Sequence, residues 1–141
     1  MRVLGLDFGE KRIGVAVSDP LGIIAQGVTV IERKNIEEDL KAINAIISEY
    51  GAESIVVGMP INMDGTKGKS ADKVAEFVEL LKASAGIPVA TYDERLSTKE
   101  SEKFLISSDV SRRKRKNVID KVAAQLILES YLERLKNNVR T

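Results

Sequence analysis

The first nineteen residues constrain the fold of this chain most strongly. Two apolar runs, residues 3–6 and 13–17, flank a short turn that contains Gly9. This pattern is typical of two buried strands joined as a hairpin. Asp7 comes where the first strand should end, and an unpaired carboxylate inside a sheet is costly. The hairpin therefore predicts a metal ion, a phosphate-bearing ligand, or both beside Asp7.

The remaining pattern predicts an early meander followed by alternating helices and strands. Asn35 with Glu38 forms a capping pair ahead of an apolar helical face, and Gly51 and Gly86 end two helices. Gly68-Lys69-Ser70 resembles the end of a phosphate-binding loop, but Met63 stands where that motif requires glycine. A flexible loop or helix start near phosphate and a simple helix cap at Ser70 remain the two interpretations. The expected ranges are strands 22–31, 54–57 and 88–92, helices 36–50, 70–85, 97–105 and 117–136, and a mobile basic segment 107–116.

This order of elements predicts an α/β protein of the ribonuclease H-like class. A mixed five-stranded sheet would carry helices on both faces. Its 141 residues, 43% of them hydrophobic, fit a single domain, residues 1–141, with a sizeable core. No stretch approaches a membrane span, and the strand directly after Arg2 is unlike a signal peptide, so we expect a cytoplasmic protein without a membrane partner.

The chain has neither cysteine nor histidine, which restricts the chemistry of any metal site. Thiolate and imidazole ligands are excluded, and oxygen ligands favour Mg²⁺ or Mn²⁺. The acidic candidates are Asp7, Glu94 and Asp120, each expected at the same end of the sheet. Such a cluster would repel itself without a divalent metal. Metal-dependent hydrolysis of a phosphodiester is therefore the predicted chemistry.

Each carboxylate also has a purely structural interpretation. Asp7 could be a turn residue, and Glu94 could form a surface salt bridge after its strand. Asp120 shares the apolar stripe of the last helix with Ala124 and Ile127, and so should point towards the sheet and need a cation. Alternatively, Asn117 caps this helix and Asp120 satisfies its first turn.

Positive charge is concentrated in the last third of the chain. From position 95 to position 121, nine basic residues outnumber four acidic ones. This asymmetry predicts a surface that faces a polyanion, with a solvated basic loop as the alternative. The predicted substrate-binding residues are Lys11, Arg12, Arg95, Arg112, Arg113, Lys114, Arg115 and Lys116.

Five sequence blocks resemble the YqgF family in its own order and span nearly the whole chain. They are residues 7–16 (DFGEKRIGVA), 56–60 (VVGMP), 62–66 (NMDGT), 93–98 (DERLST) and 120–124 (DKVAA). The resemblance implies a ribonuclease H-like fold and a cytoplasmic nuclease, either one that processes the 5′ end of pre-16S ribosomal RNA or a Holliday junction resolvase. It also implies that Asp7, Glu94 and Asp120 are the acidic residues of the active site.

Two other classes of protein remain open from the sequence. The first hairpin also resembles the phosphate-binding hairpin of actin-like ATPases and sugar kinases, although those proteins use two related domains and this chain has room for one. A nucleic-acid-binding module without catalysis is the other alternative. We favour RNA processing, which needs one active site per cut, and expect a monomer or weak homodimer; a junction resolvase should be a symmetric dimer.

Overall fold

The structure, a computed structural model, describes residues 1–61, 64–93 and 112–139. Five strands and three helices occupy these ranges. They are β1 (Val3–Phe8), β2 (Arg12–Ser18), β3 (Ala25–Glu32), α1 (Ile36–Tyr50), β4 (Ser54–Met59), α2 (Lys69–Ala85), β5 (Val89–Asp93) and α3 (Arg112–Val139).

The strands form one mixed sheet in the order β3-β2-β1-β4-β5. The meander β1-β2-β3 is antiparallel, whereas β4 and β5 run parallel to β1. Side chains alternate between the two faces of a strand, so β1 supplies both cores of the protein. The predicted mixed five-stranded sheet with helices on both faces is therefore confirmed.

The two faces of the sheet carry cores of different size. Leu4 and Leu6 of β1 lie in the larger core, beneath α1 and α2, where Phe77 is the largest buried side chain. Val3 points to the other face and packs in the smaller core with Ile127 and other residues of α3. The last helix therefore covers this face of the sheet over β1, β2, β3 and β4.

Glycine at three neighbouring strands lets α3 lie close against this face. A Cβ atom at Gly5 of β1 would lie 2.9 Å from the Leu128 Cβ, and one at Gly27 of β3 would lie 3.2 Å from the Lys121 carbonyl oxygen. At Gly14 of β2, between them, a Cβ atom would overlap the carbonyl oxygen of Asp120. These three residues form a glycine groove that fixes the height of α3 above the sheet.

Several predicted strand boundaries were wrong, among them the end of β4, which is Met59 and not position 57. The third strand begins at Ala25 and not at position 22, because the Asp19 carboxylate accepts hydrogen bonds from the backbone of Ile23 (2.6 Å) and Ile24 (2.9 Å) and holds a turn there. Both isoleucines are more than half exposed, so their apolar character does not reflect burial. The first strand also runs through Asp7 to Phe8, so Asp7 lies within the strand rather than after it.

The described helices follow their predicted ranges except at the start of α2 and at both ends of α3, which runs to Val139 rather than to position 136. Asn35 caps α1 by accepting from the Glu38 backbone N–H, and Gly51 ends it in the left-handed conformation, as predicted. Helix α2 begins at Lys69 with Gly68 as its cap and no side-chain capping bond, so the predicted Ser70 cap was wrong.

Helix α3 begins at Arg112, five residues before the predicted start. The predicted mobile segment is therefore wrong for positions 112–116, and Asn117 lies inside the helix rather than capping it. The rest of that segment, 107–111, and the predicted short helix 97–105 lie outside the described residues. In the described ranges, none of the helices is long and apolar enough to cross a membrane.

Candidate active site

Asp7 lies near the carboxyl end of β1, where the parallel strands of the sheet also end. It alternates with Val3 and Gly5, which both contact α3, so its position is on the face of the sheet that α3 covers. Its cross-strand partner in β2 is Gly14. In open α/β sheets, ligands bind at the carboxyl ends of the parallel strands.

Asp120, a residue of α3, lies at the same end of the sheet. Its backbone lies directly on Gly14, because a Cβ atom there would overlap the Asp120 carbonyl oxygen. Since Gly14 is the cross-strand partner of Asp7, the two aspartates lie on adjoining pieces of backbone. The side chain of Asp120 is 21% exposed. The structure thus brings together two of the three predicted acidic residues.

Arg12 supplies the cation that the buried side of α3 was predicted to need. Its Nε donates a hydrogen bond of 2.6 Å to Oδ2 of Asp120, and both side chains are about three-quarters buried. This hydrogen bond raises the pKa of Arg12 above its ordinary value, with further support from the charges of Asp120 and Glu32 against the opposing effect of burial. Arg12 was predicted to contact the substrate, but in the structure it binds a carboxylate of the protein itself.

Glu94 and Arg95 lie outside the described residues. The described part of β5 ends at Asp93, which pairs with Met59 of β4. Within the described ranges no group of three or more acidic, histidine or cysteine side chains is arranged to hold a metal ion. The described half of the candidate site is therefore a pair of aspartates with one arginine.

Sequence reasoning missed Arg33, which fixes the turn between β1 and β2. Its Nη1 donates to the carbonyl oxygens of Gly9 (3.2 Å) and Glu10 (3.1 Å), and its Nε donates to Asp39 Oδ2 (3.2 Å). Its guanidinium also lies 4.3 Å from the centre of the Phe8 ring. No spacing in the sequence predicts these contacts, since Arg33 reads as an ordinary charge after a strand.

The Arg33 contacts connect this turn to both neighbouring helices. Asp39 of α1 is 1% exposed and also accepts from the Lys34 backbone N–H at 3.1 Å. Phe8 stacks on Phe77 of α2, with ring centres 4.0 Å apart. The turn between β1 and β2 is consequently held against α1 and α2, while Lys11 at its end is exposed.

An open cleft of about 300 Å³ leads from Asp7 to the start of α2. Its walls carry charges of both signs. The polar side chains that line it are Asp7, Glu10, Arg33, Ser70 and Lys73. The cleft therefore opens beside Asp7 at the carboxyl end of β1, and the residues that line it include none from α3.

The five adjacent basic residues at positions 112–116 form the beginning of α3. They precede Asp120 on the same helix, and at a rise of about 1.5 Å per residue they lie roughly 6–12 Å from it along the axis. The basic segment is thus carried by the same rigid element as the second aspartate.

The strand order, the parallel edge and the aspartate on the central strand define a ribonuclease H-like α/β protein. The model of the RuvX family, described as Holliday junction resolvase, matches residues 1–134. The chain belongs to this family, also called RuvX/YqgF, which confirms the resemblance found in the sequence blocks.

Relatives and solved structures agree with this assignment. A protein of Halothermothrix orenii is 57% identical over 132 residues, 94% of each chain, and one of Desulforamulus reducens is 56% identical over 94% of this chain and 97% of its own. Both are named as candidate pre-16S rRNA nucleases. The structure of T. thermophilus RuvC with a Holliday junction substrate shares the fold, with a TM-score of 0.60 at 14% identity over 96% of each chain.

Proposed function

We propose that this protein is a metal-dependent nuclease that hydrolyses phosphodiester bonds and processes the 5′ end of pre-16S rRNA. The observation that carries the proposal is that Asp7 and Asp120 lie at the same end of the sheet, where both adjoin Gly14 of β2. Relatives more than 50% identical over nearly the whole chain and named for this activity support the choice of substrate.

The donor set fits a hard divalent cation. The chain has no histidine or cysteine, so carboxylate oxygens are the anionic ligands it can offer. Asp7 and Asp120 would hold Mg²⁺ or Mn²⁺, with Glu94 as the proposed third ligand. Such an ion, when bound, activates water and stabilises the leaving oxygen of a phosphodiester.

The protein's own residues would bind and orient the substrate around this site. Lys11 is exposed on the turn next to Arg12, and the basic segment 112–116 leads along α3 towards Asp120. We propose that Lys11, Arg95 and this segment contact phosphates on either side of the cleaved bond. Each such contact adds about 0.7–0.9 to the magnitude of the log-affinity versus log-salt slope.

Resolution of Holliday junctions is the second candidate, because the family model that matches residues 1–134 is described by that activity. It would require paired cuts and therefore a symmetric dimer. For the RNA-processing function we propose a cytoplasmic protein that acts as one domain, residues 1–141, and as a monomer or weak homodimer.

The test incubates the purified protein with Mg²⁺, with Mn²⁺ or with chelator, on precursor RNA that carries the 5′ end of 16S rRNA and on four-way DNA junctions. Oligomeric state is measured at the assay concentration. We expect cleavage of the RNA precursor, abolished by chelator. Symmetric cuts in the junction by a stable dimer, with the RNA left intact, would instead establish the resolvase.

A further inference from the structure

We infer that Arg12 is a positioning residue that sets the side chain of Asp120, rather than a contact to substrate phosphate. The inference rests on the proposed function, since it assigns a role inside that active site. It gives the two adjacent cations of the first turn, Lys11 and Arg12, different tasks. The evidence lies in how β2 holds Asp120 at two points.

Arg12 and Gly14 are two residues apart on β2 and therefore lie on the same face of the sheet. Gly14 receives the backbone of Asp120, since any side chain there would overlap its carbonyl oxygen. Arg12 holds the side chain of the same residue through the 2.6 Å bond to Oδ2. One short piece of strand thus fixes both the position of Asp120 and the rotation of its carboxylate.

The bond to Arg12 is directed at one oxygen only. Within the described ranges, Arg12 is the side chain that holds Asp120, and its Nε contacts Oδ2, so the bond restricts how the carboxylate can rotate. A charge-assisted bond between two largely buried groups is stronger than a neutral one. Misplacement of a reacting group by about 1 Å can cost roughly 100-fold in rate, so this bond bears directly on turnover.

A guanidinium engaged in this way is poorly placed to bind phosphate. Arg12 is 26% exposed, and its Nε bond to Asp120 fixes the plane of the guanidinium, so the group is not free to turn towards a phosphate. Lys11, its neighbour, is exposed and can follow a phosphate freely. The two residues therefore make a matched pair that differs in burial and partner but carries the same charge.

The test compares Arg12→Gln, Arg12→Lys and Lys11→Gln with the control Lys41→Gln, an exposed residue of α1. For Arg12→Gln we expect kcat to fall about 10- to 100-fold while KM and the salt slope of RNA binding stay close to wild type. Arg12→Lys should restore part of kcat. Lys11→Gln should lower the slope by about 0.7–0.9, and Lys41→Gln should leave both kcat and the slope unchanged. A slope lowered by Arg12→Gln with kcat retained would overturn the inference.

A double-mutant cycle tests the same inference without any cleavage. The shift in the urea midpoint caused by Arg12→Gln should largely disappear in an Asp120→Ala background, because residues that act through each other are not additive. Additive shifts would contradict the pairing. Midpoints and salt slopes need no catalysis, so a wild-type protein that cuts neither substrate would contradict the proposed function alone.

Discussion

Asp7 and Asp19 show how differently two aspartates of the same hairpin are used. Asp7 lies within β1 at the edge where α3 arrives, opposite Gly14. Asp19 follows β2 at the other end of the sheet, and its carboxylate accepts hydrogen bonds from backbone N–H groups of the next turn. The first is a proposed metal ligand, and the second stabilises the turn that follows β2.

We expect Asp7→Asn to abolish cleavage while leaving the fold nearly intact, because it removes a charge but little volume. The measurement is turnover of precursor RNA at saturating Mg²⁺, together with the midpoint of urea unfolding. Asp72→Asn is the matched control, since it removes the same charge from an exposed position in the first turn of α2. Full activity of the purified Asp7 variant would remove Asp7 from the site.

The turn after β2 should resist acid until the pH falls well below the ordinary range of an aspartate. Hydrogen bonds from the Ile24 and Ile23 backbone lower the pKa of Asp19. A lowered pKa in the folded state means that the carboxylate stabilises the turn above the unfolded pKa, and that this stability is lost as pH falls through the folded pKa. An NMR titration of the Asp19 carboxyl group should give the lowered midpoint, and the Ile23 and Ile24 amides should lose protection in the same range. A midpoint at or above the ordinary value would contradict this role of Asp19.

At the scale of elements, the decisive contact is that of α3 with the glycine groove of Gly5, Gly14 and Gly27. The helix buries Ala124, Ile127 and other apolar residues against the sheet, and the groove sets how deeply it can settle. Because Asp120 rides on this helix, the depth of packing also sets its position relative to Asp7. A substitution that changes the packing of α3 should therefore also move Asp120 relative to Asp7.

Gly14→Ala should therefore lower both stability and turnover. Overpacking against α3 should reduce the free energy of unfolding by about 1–3 kcal/mol, and the displaced helix should move Asp120 away from the edge. Gly5→Ala is the control, because it strains α3 at Leu128, two turns from Asp120. We expect a similar loss of stability from Gly5→Ala but a smaller loss of kcat, measured where both variants are fully folded. Equal losses of kcat would show that the contact at Gly14 has no special role.

The sequence predicts those elements whose signals are local. Asn35 and Gly51 mark the two ends of α1 by their own chemistry, and both were placed correctly. The start of α3 was missed because a run of cations has no apolar periodicity. The start of β3 was missed because Ile23 and Ile24 are apolar yet exposed.

The sequence predicts acids for the candidate site but not their partners. Asp7 was expected after the first strand and lies within it, Asp120 was expected on the sheet side of the last helix and packs on Gly14, and the role of both as metal ligands stays a prediction. The partner of Asp120 is Arg12, 108 residues away in sequence, and such a pairing has no local signal. Arg33 and Asp39 were missed for a related reason, since their bonds depend on where β3 and α1 meet the first turn. Glu94 remains a prediction from the sequence and the family resemblance.

At the scale of the whole molecule, the long last helix joins the active site to the basic segment. Helix α3 has 28 residues, about 42 Å at 1.5 Å per residue, whereas the longest strand has eight residues, about 26 Å. The helix therefore extends beyond the sheet that it covers. Successive helical positions are rotated by about 100°. Positions 112, 115 and 116 therefore lie on one side of the helix, and positions 113 and 114 lie on the other.

Neutralising Arg112, Arg115 and Lys116 together should weaken RNA binding and lower the salt slope by up to about 2–3, if each contacts one phosphate. The measurement is the affinity for precursor RNA over a range of salt concentrations. The control neutralises Lys41, Lys82 and Lys136, which are exposed and change the net charge by the same amount. Equal losses of slope in both variants would assign the effect to overall charge rather than to the start of α3.

The closure of one sheet face by the last helix also orders events during synthesis of the chain. Asp7 is synthesised well before Asp120, and the helix that buries Val3, Ala16 and Val56 follows all five strands in the chain. Until that helix docks, these apolar residues of the sheet are not covered by it and the two aspartates are not held on neighbouring backbone. If both aspartates serve the proposed active site, a nascent chain that lacks this helix should therefore be inactive even when its sheet has already formed.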